Sequence, residues 1–330
     1  MAKHRCPFRM RSAQATALGC AVMLWTSAFA TADEVRGSTF LTLVQMQQDA
    51  PAPAVATAIV AVPPTRSVVY KTTTNAVGEK VELVMHIFEP KGHKVSDKTP
   101  AIVFFFGGGW TSGNPQTFFQ HCTYLASRGI VAIAPDYRVK NRQQTTPFES
   151  VADAKSAIRF VHQNSAAWGV EPSRIVAAGS SAGGHIAACT ALIPGLDDKG
   201  EDASISSVPN ALVLYNPVVD TSPAGYGNAR LGDRWEEISP LQHVRPDLPP
   251  TIIFHGTADK VVPYANAVAF EKAMKAAGNR CQLVTLEGEG HGLAMQLQKS
   301  AAQQALRDTD VFLESLGYLK GKPVLPAPPQ

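Results

Sequence analysis

Residues 174–184, RIVAAGSSAGG, are the stretch on which the fold prediction depends. An apolar run, RIVAA at 174–178, leads directly into GSSAGG at 179–184, where small residues surround one hydroxyl. A buried strand that turns sharply into a helix has room only for small residues two positions either side of its central residue. The same turn strains the central backbone and lifts its side chain above the sheet. The stretch therefore predicts a strand–turn–helix unit with Ser181 exposed at the turn and a helix over about 182–192.

A phosphate-binding glycine/serine loop is the alternative interpretation of the same residues. Such a loop needs a GK[ST] ending or a wider glycine spacing, and the stretch has neither. Gly179, Ser181 and Gly183 instead match the pattern G-x-S-x-G, in which Ser181 and not Ser180 is central. The pattern predicts that Ser181 is a nucleophile.

Apolar runs of strand length alternate with segments of helical period through the middle of the chain. The predicted strands are 67–73, 81–90, 101–106, 130–135, 174–179, 211–217, 251–256 and 281–288, and the predicted helices are 115–128, one within 148–164, 182–192, 262–278 and 296–316. Near-continuous apolar strands are typical of strands buried on both faces. This alternation predicts an α/β fold with a mostly parallel sheet and helices on both faces. The first two strands are predicted to form a hairpin.

A long polar stretch rich in glycine and proline, residues 217–248, follows the sixth predicted strand. It breaks the alternation of strands and helices. We therefore predict an insertion that covers the carboxyl ends of the strands.

His291 is the predicted general base. A serine hydroxyl is a weak nucleophile at neutral pH and needs a base within hydrogen-bond reach. Of nine histidines, His291 follows the last predicted strand in the glycine-rich loop GEGHG. His185 lies one turn along the helix from Ser181, and His255 ends a strand, so both are assigned structural roles.

Asp259, in HGTADKVVP, is the predicted acid that orients the base. It lies in a loop after a predicted strand, and such a loop supplies the acid in the chain order Ser…Asp…His, which is the order of Ser181, Asp259 and His291. The alternative for Asp259 is a helix N-cap. Glu287 and Glu289 are rival acids, but they lie too close to His291 in sequence to be favoured.

The stretch FFFGGGW, residues 104–110, predicts the oxyanion hole. Backbone N–H groups after a strand can face the oxyanion that forms on acyl attack, and glycine admits the substrate closely. The predicted donors are the N–H groups of Gly108, Gly109 and Ala182, and a flexible glycine loop is the alternative. Trp110 and the 217–248 insertion are predicted to form the substrate pocket.

The chain begins with a basic segment followed by an apolar one. Four basic residues precede the charge-free stretch ALGCAVMLWTSAFA, and small-x-small cleavage signals follow it. This predicts a signal peptide at 1–32 and a secreted or periplasmic protein. An uncleaved membrane anchor and a lipoprotein attached at Cys20 are the alternatives. Residues 33–66 are predicted to be an Ala/Pro-rich linker or arm, 67–320 the catalytic domain and 321–330 a Pro-rich tail.

Without residues 1–32 the chain has 26 basic and 27 acidic side chains. No polybasic patch remains, so neither nucleic acid nor an anionic membrane is an expected partner. Three cysteines, Cys122, Cys189 and Cys281, allow at most one disulfide and match no metal motif. The oligomeric state cannot be read from the sequence.

The chain resembles the α/β-hydrolase esterases around the hormone-sensitive-lipase and acetylxylan/feruloyl esterase groups. The similarity covers about residues 67–318. Its motifs are FGGGW, PDYR, DAKSAIRFV, GSSAGG, HGTADKVVP and GHG. It implies a serine carboxylesterase that uses Ser181, Asp259 and His291 and needs no metal or cofactor. One departure is Phe106, because these esterases usually have a loop-supporting histidine before the glycines. Asp136 and Tyr137 would be structural pins near the site.

The favoured hypothesis is a secreted ester hydrolase acting on short-chain or carbohydrate-linked acetyl or feruloyl esters. A prolyl-oligopeptidase-like peptidase has the same triad order, but about 34 linker residues cannot form the N-terminal propeller usual in those enzymes. A non-catalytic binding protein on a hydrolase scaffold is the third hypothesis. Such proteins tend to lose a triad residue, and none is missing here.

Overall fold

The computed structural model describes residues 59–293 and 296–325. These residues belong to one compact unit, Val55–Gln330. The predicted signal peptide, Cys20, most of the predicted linker and the last five tail residues lie outside the described residues.

Eight strands form a single sheet in the order β1-β2-β4-β3-β5-β6-β7-β8. The strands are β1 (Arg66–Thr74), β2 (Lys80–Phe88), β3 (Thr99–Phe105), β4 (Val131–Pro135), β5 (Val170–Ser180), β6 (Ala211–Tyr215), β7 (Thr251–Gly256) and β8 (Cys281–Leu286). The β1–β2 and β2–β4 pairs are antiparallel, and all other neighbours are parallel. The predicted hairpin and the mostly parallel sheet are both present.

Burial explains why these segments are strands. Every residue of β3, β4, β6 and β7 is buried. A strand with both faces covered can be apolar at every position, whereas β1 at the sheet edge alternates between exposed and covered residues. The six strands from β3 to β8 run parallel, so their carboxyl ends lie at one edge of the sheet. The loops that follow these ends meet there.

The helices lie close to their predicted positions. They are α1 (Phe119–Ser127), α2 (Lys140–Gln143), α3 (Pro147–Asn164), α4 (Ala182–Leu192), α5 (Asn228–Leu231), α6 (Tyr264–Ala276) and α7 (Ser300–Ser315). The single helix predicted over 115–128 is instead a 3₁₀ turn, Pro115–Phe118, followed by α1. Asn114 caps the 3₁₀ turn by accepting a hydrogen bond from the Gln116 N–H. In the part of the chain that the structure describes, no helix is both long and apolar enough to cross a bilayer.

The stretch after β6 is the predicted insertion. It contains α5 and two 3₁₀ segments, Gly232–Ile238 and Pro240–His243. Its two ends are joined by hydrogen bonds from the Leu241 N–H to the Val219 carbonyl and from the Thr221 N–H to the Ser239 hydroxyl. The Arg230 guanidinium donates to the Gly109 carbonyl in the loop after β3, so the insertion lies at the carboxyl edge of the sheet.

The described ends of the chain are attached to the domain. The Val62 N–H donates to the Thr123 hydroxyl at 3.1 Å, and the Gln120 amide donates to the Ile59 carbonyl at 2.8 Å. At the other end Arg128 donates to the Gly321 carbonyl at 2.8 Å, and Leu325 is buried. The described parts of the predicted linker and tail therefore pack on the domain.

Candidate active site

Ser181 stands on the sharp turn between β5 and α4. Its φ is +56° and its ψ is −122°, a conformation that costs a non-glycine residue free energy. A Cβ at Gly179 would lie 2.4 Å from the Gly183 carbonyl oxygen, and a Cβ at Gly183 would lie 2.0 Å from the Phe105 carbonyl oxygen. Only glycine fits these two positions, because strand and helix backbones meet there. The small residues around Ser181 are a packing requirement of the turn.

The structure brings Ser181, His291 and Asp259 together. The His291 Nε2 atom lies 2.9 Å from the Ser181 Oγ, and the His291 Nδ1 atom lies 2.7 Å from the Asp259 Oδ2. The three residues follow β5, β8 and β7 at the shared carboxyl edge of the sheet. The Asp259 side chain is fully buried, whereas that of His291 is 21% exposed. The imidazole can therefore reach both a buried carboxylate and an open cavity.

The Asp259 carboxylate accepts four hydrogen bonds. Its Oδ1 accepts from the N–H groups of Val261 and Val262 at 2.8 and 2.9 Å, and its Oδ2 is shared by His291 and His255. Helix α6 begins only at Tyr264, so the backbone bonds to Oδ1 close a loop and do not form the helix cap considered as an alternative. Glu287 and Glu289 do not contact His291 through their side chains, and Asp259 is its carboxylate partner.

Hydrogen bonding keeps Asp259 charged. Burial opposes ionisation, but donation from His255, His291 and the two backbone N–H groups outweighs it and holds the pKa of the Asp259 carboxyl well below its usual range. A carboxylate in this state fixes the His291 Nδ1–H tautomer and leaves Nε2 free to accept the Ser181 proton.

His255 takes part in this network, a contact that the sequence analysis missed. Its ring is fully buried, and its Nε2 lies 3.2 Å from the Asp259 Oδ2 and 3.1 Å from the Val262 carbonyl oxygen. Both neighbours are acceptors, so Nε2 carries a proton and donates. The four-residue spacing in HGTAD is the signal that could have indicated it.

The glycines after β3 line one cavity with Ser181 and His291. The cavity has a volume of about 260 Å³, and Tyr226 of the insertion forms part of its wall. The Gly108 and Gly109 N–H groups have no acceptor among the described residues, and Ala182 is the first residue of α4, where an N–H is free of intrahelical bonding. Gly108 and Gly109 line the cavity, and all three N–H groups stay candidates for the predicted oxyanion hole.

Phe106 stands where the esterases that this chain resembles usually have a histidine, and it takes part in an aromatic stack. Its ring lies 4.1 Å from that of Tyr137, centroid to centroid and nearly parallel, and the Tyr137 hydroxyl donates to the Phe106 carbonyl at 2.7 Å. Asp136 pairs with Arg142 at 2.6 Å. The motif PDYR therefore holds the backbone at the start of the glycine loop, which agrees with its predicted structural role.

Trp110 does not line the cavity that contains Ser181, but it lines a second cavity that shares Gly109 with it. Its side chain is 1% exposed, its ring packs on Tyr226, and it is absent from the lining of the Ser181 cavity. Its Nε1–H donates to the His185 Nδ1 at 3.3 Å, while the His185 Nε2 donates to the Ile238 carbonyl. Trp110 thus joins the glycine loop to the insertion, and Tyr226 contributes the aromatic surface of the cavity instead.

His185 is structural, as predicted. Burial lowers the pKa of His185 to about 4, although the bond to the Ile238 carbonyl acts in the opposite direction. The ring is neutral at neutral pH, in agreement with one nitrogen that accepts and one that donates. Across residues 59–293 and 296–325, no group of three or more His, Cys, Asp or Glu side chains could hold a metal ion.

A serine on a strained turn, a histidine and a buried carboxylate, all at the carboxyl edge of a mostly parallel sheet, define an α/β-hydrolase. The family model BD-FAE matches residues 85–225 and 225–274. The chain belongs to this family of α/β-hydrolase esterases, and the predicted fold and enzyme class are confirmed.

The relatives of this chain include plant and bacterial esterases. A probable isoprenylcysteine alpha-carbonyl methylesterase of Oryza sativa subsp. japonica is 31% identical over 68% of this chain and 56% of its own length. An acetylxylan esterase of Xylanibacter ruminicola is 26% identical over 66% of this chain and 45% of its own length. The chain thus spans about half the length of the curated relatives it matches.

Solved structures of Thermogutta terrifontis esterase 2 match over nearly their full length. The apo form is 47% identical, with a TM-score of 0.73, over 79% of this chain and 97% of that chain. A form phosphorylated by paraoxon is 47% identical with a TM-score of 0.72 over 78% of this chain and 96% of that one, and a butyrate-bound form is 45% identical with a TM-score of 0.72 over 79% and 97%.

Proposed function

We propose that this chain hydrolyses short-chain or carbohydrate-linked carboxylic esters, such as acetyl and feruloyl esters, through an acyl-enzyme on Ser181. The observation that carries the proposal is the pair of distances from His291 to Ser181 and to Asp259, 2.9 and 2.7 Å. The acetylxylan esterase relative and the butyrate-bound neighbour support the substrate class.

The reaction has two symmetrical halves. The Ser181 Oγ attacks the ester carbonyl while the His291 Nε2 takes the hydroxyl proton, and the Gly108, Gly109 and Ala182 N–H groups stabilise the oxyanion. The imidazolium then protonates the departing alcohol oxygen, which leaves the acyl group on Ser181. A water molecule gives its proton to His291, attacks the acyl carbon and releases the carboxylic acid as Ser181 recovers its proton. Asp259 stays charged throughout and stabilises the imidazolium.

Adjacent serines permit a matched test of the nucleophile. The Ser181→Ala variant should lose about 10⁵-fold or more in kcat on p-nitrophenyl acetate, since the covalent step is abolished. When it is mixed with paraoxon, Ser181→Ala should also fail to release the one equivalent of p-nitrophenol per enzyme molecule that phosphorylation of Ser181 would produce. Ser180 lines the same cavity, but its hydroxyl only accepts a long hydrogen bond of 3.4 Å from the Asn216 amide, so Ser180→Ala should keep most of both activities. Loss of activity in Ser180→Ala with retention in Ser181→Ala would contradict the assignment.

We also propose that the protein is exported. The basic and apolar pattern of residues 1–32 supports this, and it has no bearing on the catalytic proposal. Cys122, Cys189 and Cys281 are buried and unpaired, so the described domain does not depend on a disulfide. Mass spectrometry of the protein recovered from culture medium or periplasm tests export, and an intact N-terminus in the cytoplasmic fraction alone would contradict it.

A further inference from the structure

A second cavity lies beside the one that contains Ser181. It has a volume of about 340 Å³, and Gly109 lines both cavities. The second cavity, called here the Lys140 cavity, also includes Thr145 and Arg230 in its wall. The two cavities thus adjoin at Gly109, and the proposed reaction has not used the second one.

The charges of the Lys140 cavity all have one sign. Lys140 and Arg230 line it, and its lining includes no aspartate or glutamate. The Lys140 side chain is exposed and has no ion pair among the described residues. The Glu149 carboxylate, which is not part of the lining, accepts hydrogen bonds from the N–H and hydroxyl of Thr146, a residue of the wall. An anion that enters this space therefore meets two cations and no competing acid.

A buried hydroxyl in the same wall also lacks a partner. Thr145 is 8% exposed, and its Oγ1 has no hydrogen-bond partner in the described structure. Leaving a buried polar atom unpaired costs free energy, so such an atom indicates a ligand or water that completes it. A hydroxyl can donate to a carboxylate oxygen, as the two cations do.

Arg230 connects this cavity with the catalytic one. A Cβ at Gly109 would lie 2.9 Å from both the Arg230 Nη1 and the Tyr226 hydroxyl, so both atoms stand directly over Gly109. Tyr226 lines the Ser181 cavity and Arg230 lines the Lys140 cavity. A substrate with its carbonyl at Ser181 can therefore extend past Tyr226 and place a charged group beside Arg230.

We propose that the Lys140 cavity is a subsite for a carboxylate carried by the ester substrate, in either its acyl or its alcohol part. This inference rests on the proposed ester hydrolysis and narrows its substrate class to acidic esters. Lys140 and Arg230 attract the carboxylate, and the Thr145 hydroxyl completes its hydrogen bonds.

Two pairs of esters test the subsite and locate the charge. Mono-p-nitrophenyl succinate and p-nitrophenyl butyrate differ by a carboxylate in the acyl part, whereas 4-acetoxybenzoate and its methyl ester differ by a carboxylate in the alcohol part. The readout is the ratio of kcat/KM for the acidic ester to that for its neutral partner. In Lys140→Met this ratio should fall about fivefold in one pair, as expected for one exposed ion pair, and added salt should reduce it in the unmodified protein.

Matched variants separate an effect of the subsite on this ratio from an effect of the net charge of the protein. Lys140→Arg should restore most of the ratio, and Thr145→Val should lower it while preserving side-chain shape. Lys272→Met removes an equal charge from an exposed position of α6 and should leave the ratio unchanged. An unchanged ratio in Lys140→Met for both ester pairs would overturn the subsite.

A binding experiment without turnover distinguishes failure of the subsite proposal from failure of the proposed ester hydrolysis. Calorimetry measures mono-ethyl succinate binding to Ser181→Ala, with and without Lys140→Met. Lys140-dependent binding to Ser181→Ala, together with an unmodified protein that hydrolyses none of the four esters and does not react with paraoxon, would keep the subsite and contradict ester hydrolysis. Hydrolysis of all four esters with unchanged ratios and no dependence of binding on Lys140 would overturn the subsite alone.

Discussion

The two walls of the Ser181 cavity are held in different ways. The wall that contains Asp259 and His291 is built from loops that leave neighbouring parallel strands, and four donors saturate the buried carboxylate. The opposite wall belongs to the insertion, where Arg230 and Tyr226 reach the glycine loop through side chains alone. The Arg230 side chain is exposed and lies 5.6 Å from the Tyr226 ring centroid. Backbone geometry fixes the first wall, and adjustable side-chain contacts shape the second.

This difference predicts that loss of the Asp259 carboxylate affects chemistry more than any change in the insertion wall. Asp259→Asn should lower kcat on p-nitrophenyl butyrate about 10⁴-fold, because the amide no longer fixes the Nδ1–H tautomer of His291. Asp233→Asn makes the same chemical change at an exposed residue of the insertion and should alter kcat less than about twofold. A loss below tenfold in Asp259→Asn, with unchanged folding by circular dichroism, would contradict the orienting role.

The acid limb of the activity profile tests whether one or two groups titrate. The pKa of Asp259 lies well below its usual value of about 4, so this carboxyl stays ionised from pH 5 upward. Because Asp259 stays ionised over this range, its carboxyl adds no titration step, and log kcat/KM should fall with a slope no steeper than one as the pH decreases from 7 to 5. A slope of two between pH 5 and 7 would contradict this.

The lowered pKa of Asp259 also makes the free energy of unfolding depend on pH. The contribution of Asp259 is fully present above about pH 4 and is lost as the pH falls through its folded-state pKa. The free energy of unfolding of Asp259→Asn should therefore approach that of the unmodified protein in acid. Urea unfolding at pH 6 and pH 3 measures this convergence.

A smaller effect is expected from the insertion wall. Arg230→Met removes the hydrogen bond to the Gly109 carbonyl and should lower kcat/KM for neutral esters about tenfold, since the oxyanion donors of the glycine loop lose a support. Arg234→Met, which breaks an exposed pair with Glu237, is the matched control and should change kcat/KM little. Equal effects of the two substitutions would mean that Arg230 does not hold the loop.

The smallest expected effect concerns His255, which acts through Asp259. His255→Phe should reduce kcat about fivefold and leave KM unchanged, because one of four bonds to the carboxylate is lost. His255→Gln keeps a donor and should recover part of the rate. Titration of active sites with paraoxon corrects for unfolded protein, so a purely structural role would give full kcat per active site.

Much of this site was predictable because its signals are local and repeated. Gly179 and Gly183 report a close approach of strand and helix, and only glycine fits there. Asp259 and His291 follow strands whose parallel direction brings their ends to one edge, so sequence order sufficed to place them near Ser181. The helix predicted over 182–192 coincides with α4 because a turn begins it and an apolar run extends it.

The contacts of the insertion could not be predicted in this way. Its residues have no period of two or 3.6, so the direction of each side chain depends on what it meets in three dimensions. Trp110 was expected to help form the substrate pocket; its ring is buried against His185, and it lines the Lys140 cavity and not the Ser181 cavity. Tyr226 and Arg230 gave no signal in the sequence.

The amino-acid sequence by itself determined the α/β class, the turn at Ser181 and the order of the catalytic candidates, because strand burial and backbone crowding restrict residue types locally. Only the tertiary structure decided that His255 shares the Asp259 carboxylate and that Lys140, Thr145 and Arg230 line a cavity next to the glycines. Those arrangements join side chains from separate loops, and their distances depend on how the whole domain packs.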